Sequence, residues 1–343
     1  MRVLVTGHHG YIGSILTGVL SRAGHDVVGC DNFLFEGCDF GEDSSRVPSL
    51  RKDVRDLGPD DLEGFEAICH LAGISNDPIG DLSPDATYEI NHRASVALAK
   101  LASESGVERF LFSSSCSIYG ASPGQMVDEL SPVNPVTPYG WSKIMVEDDV
   151  KALASDEFTP VFLRNATAYG VSPRLRADLV VNNLVGYAVT QGKVTVKSDG
   201  TPWRPMVHIE DISRAFAAML VAPREKVHNE IFNIGTSTQN FQISQVASMV
   251  ERAVPGATVE FAGTAGPDIR DYRVDCSKVA DLVPEFQPAW TVESGVEELV
   301  DAYRRHGLEE SEFLGNLMRI EHIKRLLADG RIGADLRLEP MRD

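Results

Sequence analysis

No apolar run in this 343-residue chain approaches the roughly 20 residues that a membrane-spanning helix needs. Met1 leads straight into a strand-like segment, with no charged-then-apolar leader ahead of it. Positive charge is scarce: 32 Lys and Arg stand against 50 Asp and Glu, a net charge of −18. Nucleic acids and anionic membranes both demand a basic surface, so neither is expected as a partner. Cysteine is sparse and odd in number, and Cys30, Cys38, Cys69, Cys116 and Cys276 are scattered. That distribution excludes a disulfide framework and a zinc site, and it fits a cytoplasmic, reducing location. The nine histidines show no ligand spacing, so no metal is expected, and His8-His9 reads as filler in a turn. Internal repeats and low-complexity segments are also missing.

What is present begins at the first residues. Val3-Leu4-Val5 is an apolar, β-branched run that reads as a buried parallel strand. It runs into Thr6-Gly7-His8-His9-Gly10-Tyr11-Ile12-Gly13 and then into the helical rhythm of Ile12, Ile15, Leu16, Val19 and Leu20. Glycines in such a strand–turn–helix let backbone approach a diphosphate, and the helix N-terminus offers N–H groups and a positive dipole end. The spacing is G-x-x-G-x-x-G, which differs from the common G-x-G-x-x-G fingerprint. A second strand, Asp26 to Asp31, ends in a carboxylate suited to both ribose hydroxyls of an adenosine. With no arginine beside Asp31 in the sequence, NAD is expected over NADP.

Further strand-like runs follow. Leu50 to Asp56 reads as a third strand, with Asp53 and Val54 placed for adenine, after a polar loop from Asn32 to Val47. Ala67 to Gly73 reads as a fourth, ending in Leu71-Ala72-Gly73, and Tyr88 to Ser105 as a helix. Arg109 to Ser115 reads as a fifth strand, and Val161 to Arg164 as a sixth. Alternation of this kind predicts an α/β fold, a doubly wound parallel Rossmann sheet with sites at the strands' C-terminal ends. The 43% hydrophobic content suffices for that core plus a smaller unit.

The fifth strand leaves the sheet as Ser113-Ser114-Ser115-Cys116-Ser117-Ile118-Tyr119-Gly120. Past an Asp/Pro/Ser loop, Pro138 opens Tyr139-Gly140-Trp141-Ser142-Lys143 and a helix. Tyr139 and Lys143 lie one turn apart on one face, where an ammonium favours the phenolate. These features, in this order, resemble the extended short-chain dehydrogenase/reductases, and within them the nucleotide-sugar epimerase/dehydratase group, from Met1 to about Leu308.

The resemblance implies NAD as cofactor, a Ser115–Tyr139–Lys143 catalytic set and a nucleoside-diphosphate sugar as substrate. On the cofactor side it implies Gly7, Gly10, Tyr11, Ile12, Gly13, Asp31, Asn32, Asp53, Val54, Leu71, Ala72, Gly73, Asn91 and Ser113, with Tyr139 and Lys143. On the substrate side it implies Ser115, Cys116, Ser117, Asn165, Asn183, Leu184, Arg204 and Arg270, with Arg273 as the alternative to Arg270. Residues 1–164 plus about 207–236 are expected to form the NAD-binding domain. Residues 165–206 plus about 237–308 are expected to form an interleaved smaller α/β substrate domain. Residues 309–343, with helical spacing over Phe313 to Leu327, form a C-terminal extension without assignable chemistry.

Epimerisation at C4 through a transient 4-keto sugar is the leading expectation. Dehydratases of the group carry Asp-Glu after the catalytic hydroxyl; Cys116-Ser117 stands there instead. Cys116 as a thiolate base and Cys116 as packing are both open, as are keto-sugar reduction and decarboxylation, with Arg174 and Arg176 too ambiguous to establish a sugar acid. The stretch Ile74 to Pro78 is a possible substrate contact. A silent NAD-binding scaffold would have lost Tyr139 or Lys143, and both are present. The resemblance implies a homodimer paired through the helices at Tyr88–Ser105 and Tyr139–Leu153.

Overall fold

The computed structural model describes residues 1–41, 47–263 and 270–339. Its central sheet has seven strands: β1 (Arg2–Thr6), β2 (Asp26–Asp31), β3 (Ser49–Arg51), β4 (Ala67–His70), β5 (Arg109–Ser115), β6 (Thr159–Asn165) and β7 (Glu230–Ile234). They lie in the order β7-β6-β5-β4-β1-β2-β3, with every neighbouring pair parallel. From β1 the chain moves outward through β2 and β3, then crosses back to β4 on the other side. That reversal leaves a crevice outside the carboxyl ends of β1 and β4, where open α/β sheets bind ligands.

The strands read as unbroken apolar runs because both faces are covered. Helices Gly13–Arg22 and Ile209–Val221 pack one face through Leu16, Leu20, Ile212 and Phe216. Helices Ala94–Glu104 and Pro138–Lys151 pack the other through Leu98, Ala99, Val146 and Val150, against Phe110 and Ile68. Each such fully buried Leu, Ile or Phe is worth about 1.5–3 kcal/mol. Pro138 opens its helix at the first helical position, and the Thr137 hydroxyl accepts from the Gly140 N–H at 3.2 Å. That start signal puts Tyr139 in the first turn.

A second core gathers Val181, Leu184, Val250, Leu299 and Tyr303 from the helices Val180–Gln191, Ile243–Ala253 and Val292–His306, with Tyr169 from the strand Thr167–Tyr169. Small sheets border it: Trp203–His208 pairs with Thr167–Tyr169 and with Asn240–Gln242, and Lys193–Val196 pairs with Thr258–Phe261.

Three expectations need correction. The third strand stops at Arg51, because the Asp53 side chain accepts from the Arg55 N–H at 3.0 Å and turns Val54–Asp56 into a single 3₁₀ turn. The helix expected over Tyr88–Ser105 starts earlier, at Pro84, and passes through a π-type turn at Glu89–Arg93 before Ala94–Glu104. The helix expected over Phe313–Leu327 is broken at Gly315 into Glu310–Leu314 and Arg319–Ala328. Residues 42–46 of the loop expected between Asn32 and Val47 lie outside the described residues. Among the described residues, no helix is long and apolar enough to cross a membrane, and no His/Cys/Asp/Glu group could hold a metal ion.

Candidate active site

The crevice at the switch point opens into a cavity of about 800 Å³. Gly7, Gly10, Tyr11, Ile12 and Gly13 line its floor. Gly7 has φ +73°, and a Cβ there would lie 2.7 Å from the Ala72 nitrogen at the end of β4. A Cβ on Gly13 would lie 2.2 Å from the Gly7 carbonyl oxygen. The turn is thus closed so tightly that only hydrogen fits, and the uncapped N-terminus of helix Gly13–Arg22 faces the cavity. This cradle fits a dinucleotide's diphosphate. His9 is more than turn filler: the Arg174 Nε donates to its ring at 3.2 Å, and Arg174 also pairs with Asp39.

Asp31 accepts backbone N–H bonds from Phe33 at 2.7 Å and His9 at 3.1 Å. Burial raises its pKa and those bonds oppose the rise. Arg51, remote in sequence, is its register partner on β3, but that guanidinium lies over Phe33 and pairs with Glu36. Asn32 donates to Asp53 at 3.0 Å. Burial acts to raise the Asp53 pKa, but the side-chain and backbone bonds from Arg55 win and hold it at about 2. Asn32, Asp53, Val54, Leu71, Ala72 and Gly73 all reach the cavity wall. Asn91 does not; it is 1% exposed, and its amide clamps the Ile74 backbone, accepting at 2.6 Å and donating at 2.8 Å. The π-type turn aims it there, so it positions the wall and does not form it.

The catalytic candidates meet at the end of β5. Ser115 Oγ accepts from the Ser117 N–H at 3.2 Å, lies 2.9 Å from the Ser117 Oγ and shares the cavity wall with Tyr139. Lys143 Nζ donates to the Ser113 carbonyl at 2.7 Å and sits 5.6 Å from the centre of the Tyr139 ring. Ser113 Oγ accepts from Asn165 at 3.1 Å. Burial drives the Lys143 ammonium down to about 7. Burial also pushes the Tyr139 phenol up; the Ser115 hydrogen bond opposes this first, then the charges of Arg176 and Arg270, while Asp77 adds to the rise. Two guanidinium groups from elsewhere in the chain thus offset part of a rise that burial dominates. Behind the site Glu147 accepts from Ser114 at 2.6 Å and pairs with buried Arg164.

On the far wall stand Asn165, Ser117, Arg204 and Arg270. Arg204 donates to the Trp203 carbonyl at 2.8 Å and also to that of Arg270, and Arg270 pairs with Asp77 at 3.0 Å. Asp268 and Ile269 lie outside the described residues. Arg273 donates instead to the Gly124 carbonyl at 3.0 Å, away from the cavity, which decides between it and Arg270.

Three substrate-side expectations are overturned. Cys116 is 1% exposed, donates to the Arg164 carbonyl at 3.1 Å, and burial pushes its thiol well up, so it is packing and no thiolate base. Asn183 donates to the Ala177 carbonyl at 2.8 Å, and Leu184 lies in the second core. Helix Val180–Gln191 meets the cavity with its first turn only, through Leu179 and Val180.

Sequence reasoning missed Asp178, which pairs with Arg176 at 2.5 Å and accepts from Asn76 at 2.7 Å, all at the wall. The polar run Ile74–Pro78 is the available signal for one member of that cluster, Asn76. Arg319, from the C-terminal extension, also reaches the cavity, and its broken helix concealed it.

Known proteins can now be set beside this geometry. The sequence model described as the NAD dependent epimerase/dehydratase family matches residues 3–235. The chain is 29% identical over 322 residues to an uncharacterized UDP-glucose epimerase, YtcB, of Bacillus subtilis, covering 86% of this chain and 96% of that one. It is 30% identical over 288 residues to human UDP-glucose 4-epimerase, covering 74% and 82%. The crystal structure of UDP-glucuronic acid 4-epimerase from Bacillus cereus with UDP-glucuronic acid and NAD superposes with a TM-score of 0.77 at 26% identity, over 89% of this chain and 99% of that one. The family match spans the glycine turn, the serine-ended β5 and the Tyr139/Lys143 helix, and the chain belongs to the NAD-dependent epimerase/dehydratase family.

Proposed function

We propose that this chain is an NAD-dependent nucleoside-diphosphate-sugar epimerase that inverts C4 through a transient 4-keto sugar. One observation carries the reading: Ser115, Tyr139 and Lys143 share a single cavity with the glycine cradle and Asp31 on one side and Arg204 and Arg270 on the other. NAD, when bound, supplies reversible hydride acceptance. The remaining work belongs to the chain. Tyr139 takes the proton from the sugar O4 and returns it. Ser115 donates to the reacting oxygen and opposes the burial that raises the phenol, and Lys143 stands beside the Tyr139 ring. The guanidinium forks of Arg204 and Arg270 suit the oxygens of the sugar nucleotide's diphosphate.

Cys116 and Ser117 offer no carboxylate next to Ser115, which argues against elimination across C5–C6. The interleaved domains outlined from the sequence, a cytoplasmic location and a homodimer belong to the same reading. Five buried free cysteines suit a reducing compartment. Trp141 and Met145, 50% and 37% exposed on helix Pro138–Lys151, suit a helical contact with a second copy, which sedimentation would detect.

The test is to denature the purified protein and assay released cofactor, then to supply UDP-, dTDP-, GDP- and CDP-sugars without added nicotinamide. Stoichiometric NAD and a C4 isomer are expected. An empty protein that turns over only a keto sugar with reduced cofactor would make it a reductase.

A further inference from the structure

The segment after Leu308 is laid over the cofactor side of the cavity. Ile323, Leu326, Ile332 and Leu336 bury against Leu34, Ile74, Ile79 and Ile90. Polar ties fasten the same segment: His322 Nε2 bonds the Leu34 carbonyl at 2.9 Å, Arg55 donates to the Asp335 carbonyl at 2.8 Å, and Arg337 pairs with Asp56 at 2.6 Å. It thereby holds the loop after β2 and the turn at Asp53–Asp56, both placed for the adenosine.

Arg319 is the residue this segment sends into the cavity, and it is only 3% exposed. Its guanidinium lies 4.2 Å from the centre of the Phe35 ring, and Nη2 donates to the Arg174 carbonyl at 3.0 Å. Nη1 is buried and has no hydrogen-bond partner among the described residues. The Cys38 thiol beside the group is a weak acceptor. Burial disfavours the cation, and Arg176 nearby adds a like charge. A buried ionised donor with only a thiol beside it, and with Asp178 acting through charge alone, is costly, so the site has room for a further anion.

The position says which anion. Arg319 lies on Phe35, in the loop after Asp31, the acid suited to the adenosine ribose. It bonds the carbonyl of Arg174, two residues before Arg176, whose pair with Asp178 lines the same cavity as Tyr139. In a dinucleotide stretched between those points, the diphosphate is the charged stretch between the two riboses. We propose that Arg319 binds the cofactor's diphosphate, so that the C-terminal segment supplies a ligand to the dinucleotide as well as covering it. This rests on the NAD reading above.

The test uses the full chain, stripped of nucleotide, as wild type, Arg319→Met and Arg319→Lys. Affinities are measured for NAD, ADP-ribose and adenosine, and for UDP on the NAD-loaded protein. Arg319→Met should bind NAD and ADP-ribose at least 20-fold more weakly, with adenosine and UDP within about twofold of wild type. Arg319→Lys, which keeps the charge without the fork, should lose less. The melting temperature of the stripped Arg319→Met protein should stay level or rise, since a buried unsatisfied charge is gone; a purely structural arginine would lower it. NAD affinity within threefold of wild type overturns the proposal. So does a loss confined to UDP, which would assign Arg319 to the sugar nucleotide, or an equal loss for adenosine, which would mean general collapse. A wild type that binds no NAD would instead remove the cofactor reading itself.

Discussion

The two walls of the cavity are built on different principles. The strand-tip wall, from Gly7 through Leu71–Gly73 to Ser113–Ser115, is backbone, mostly small side chains and hydroxyls, with Lys143 donating to the Ser113 carbonyl. The facing wall is made of long charged side chains joined across the chain: Arg176 with Asp178, Asn76 with Asp178, Arg270 with Asp77, and Arg319 reaching in from the C-terminal segment. The first wall is pre-formed by sheet geometry and tolerates almost no added volume. The second is held by buried charge pairs whose desolvation is offset only by good geometry. On the function proposed above, chemistry belongs to the rigid wall and recognition of the sugar nucleotide to the charged one.

The sharpest way to break that division is Tyr139→Phe. Turnover should fall about 10³-fold, in the range for loss of a general acid–base, while NAD content stays at the wild-type level; unchanged turnover would remove Tyr139 from the chemistry. On the charged wall, Arg176→Gln should mostly raise KM. Loss of a hydrogen bond to a charged group, about 1.5–3 kcal/mol, is roughly 10- to 100-fold. A fall in kcat of the same size with KM unchanged would place Arg176 among the chemical groups.

Lys143 tests the rigid wall through pH. Its folded pKa of about 7 lies below the ordinary lysine value of about 10.4. Between those values the unfolded chain holds the proton that the folded one has released, so unfolding takes up a proton and stability rises with pH. The cost of the buried cation is therefore full below pH 7 and fades toward pH 10. Ligand-free wild type should gain in melting temperature over that window relative to Lys143→Met, and a parallel pair of curves would contradict the shift. The smallest effect belongs to Cys116→Ala. Loss of one buried sulfur costs about 1 kcal/mol of stability, with turnover within twofold; a large kinetic loss would restore the thiol to the mechanism.

Legibility followed the same division. The glycine turn, Asp31, the serine-ended β5 and the Tyr139/Lys143 pair are short-range patterns whose spacing is set by one strand, one turn or one helix, and each lies at the cavity. Asn183 and Leu184 came from the resemblance, which does not say which end of this helix meets the site. Asn91, implied as a cofactor contact, lies in the π-type turn and holds the Ile74 backbone from behind the wall. Cys116 follows Ser115 directly, yet the 3₁₀ turn Cys116–Tyr119 points it inward.

By itself, the sequence determined a parallel α/β sheet with a dinucleotide cradle and a Tyr–Lys helix, because those follow from local periodicity, turn chemistry and helix capping. Only the tertiary structure decided which charges face the ligand. Asn76 meets Asp178 across 102 positions, and Arg319 meets the Arg174 carbonyl across 145. No local rule links residues so far apart; their pairing is settled when separate cores dock and bury the charged groups between them.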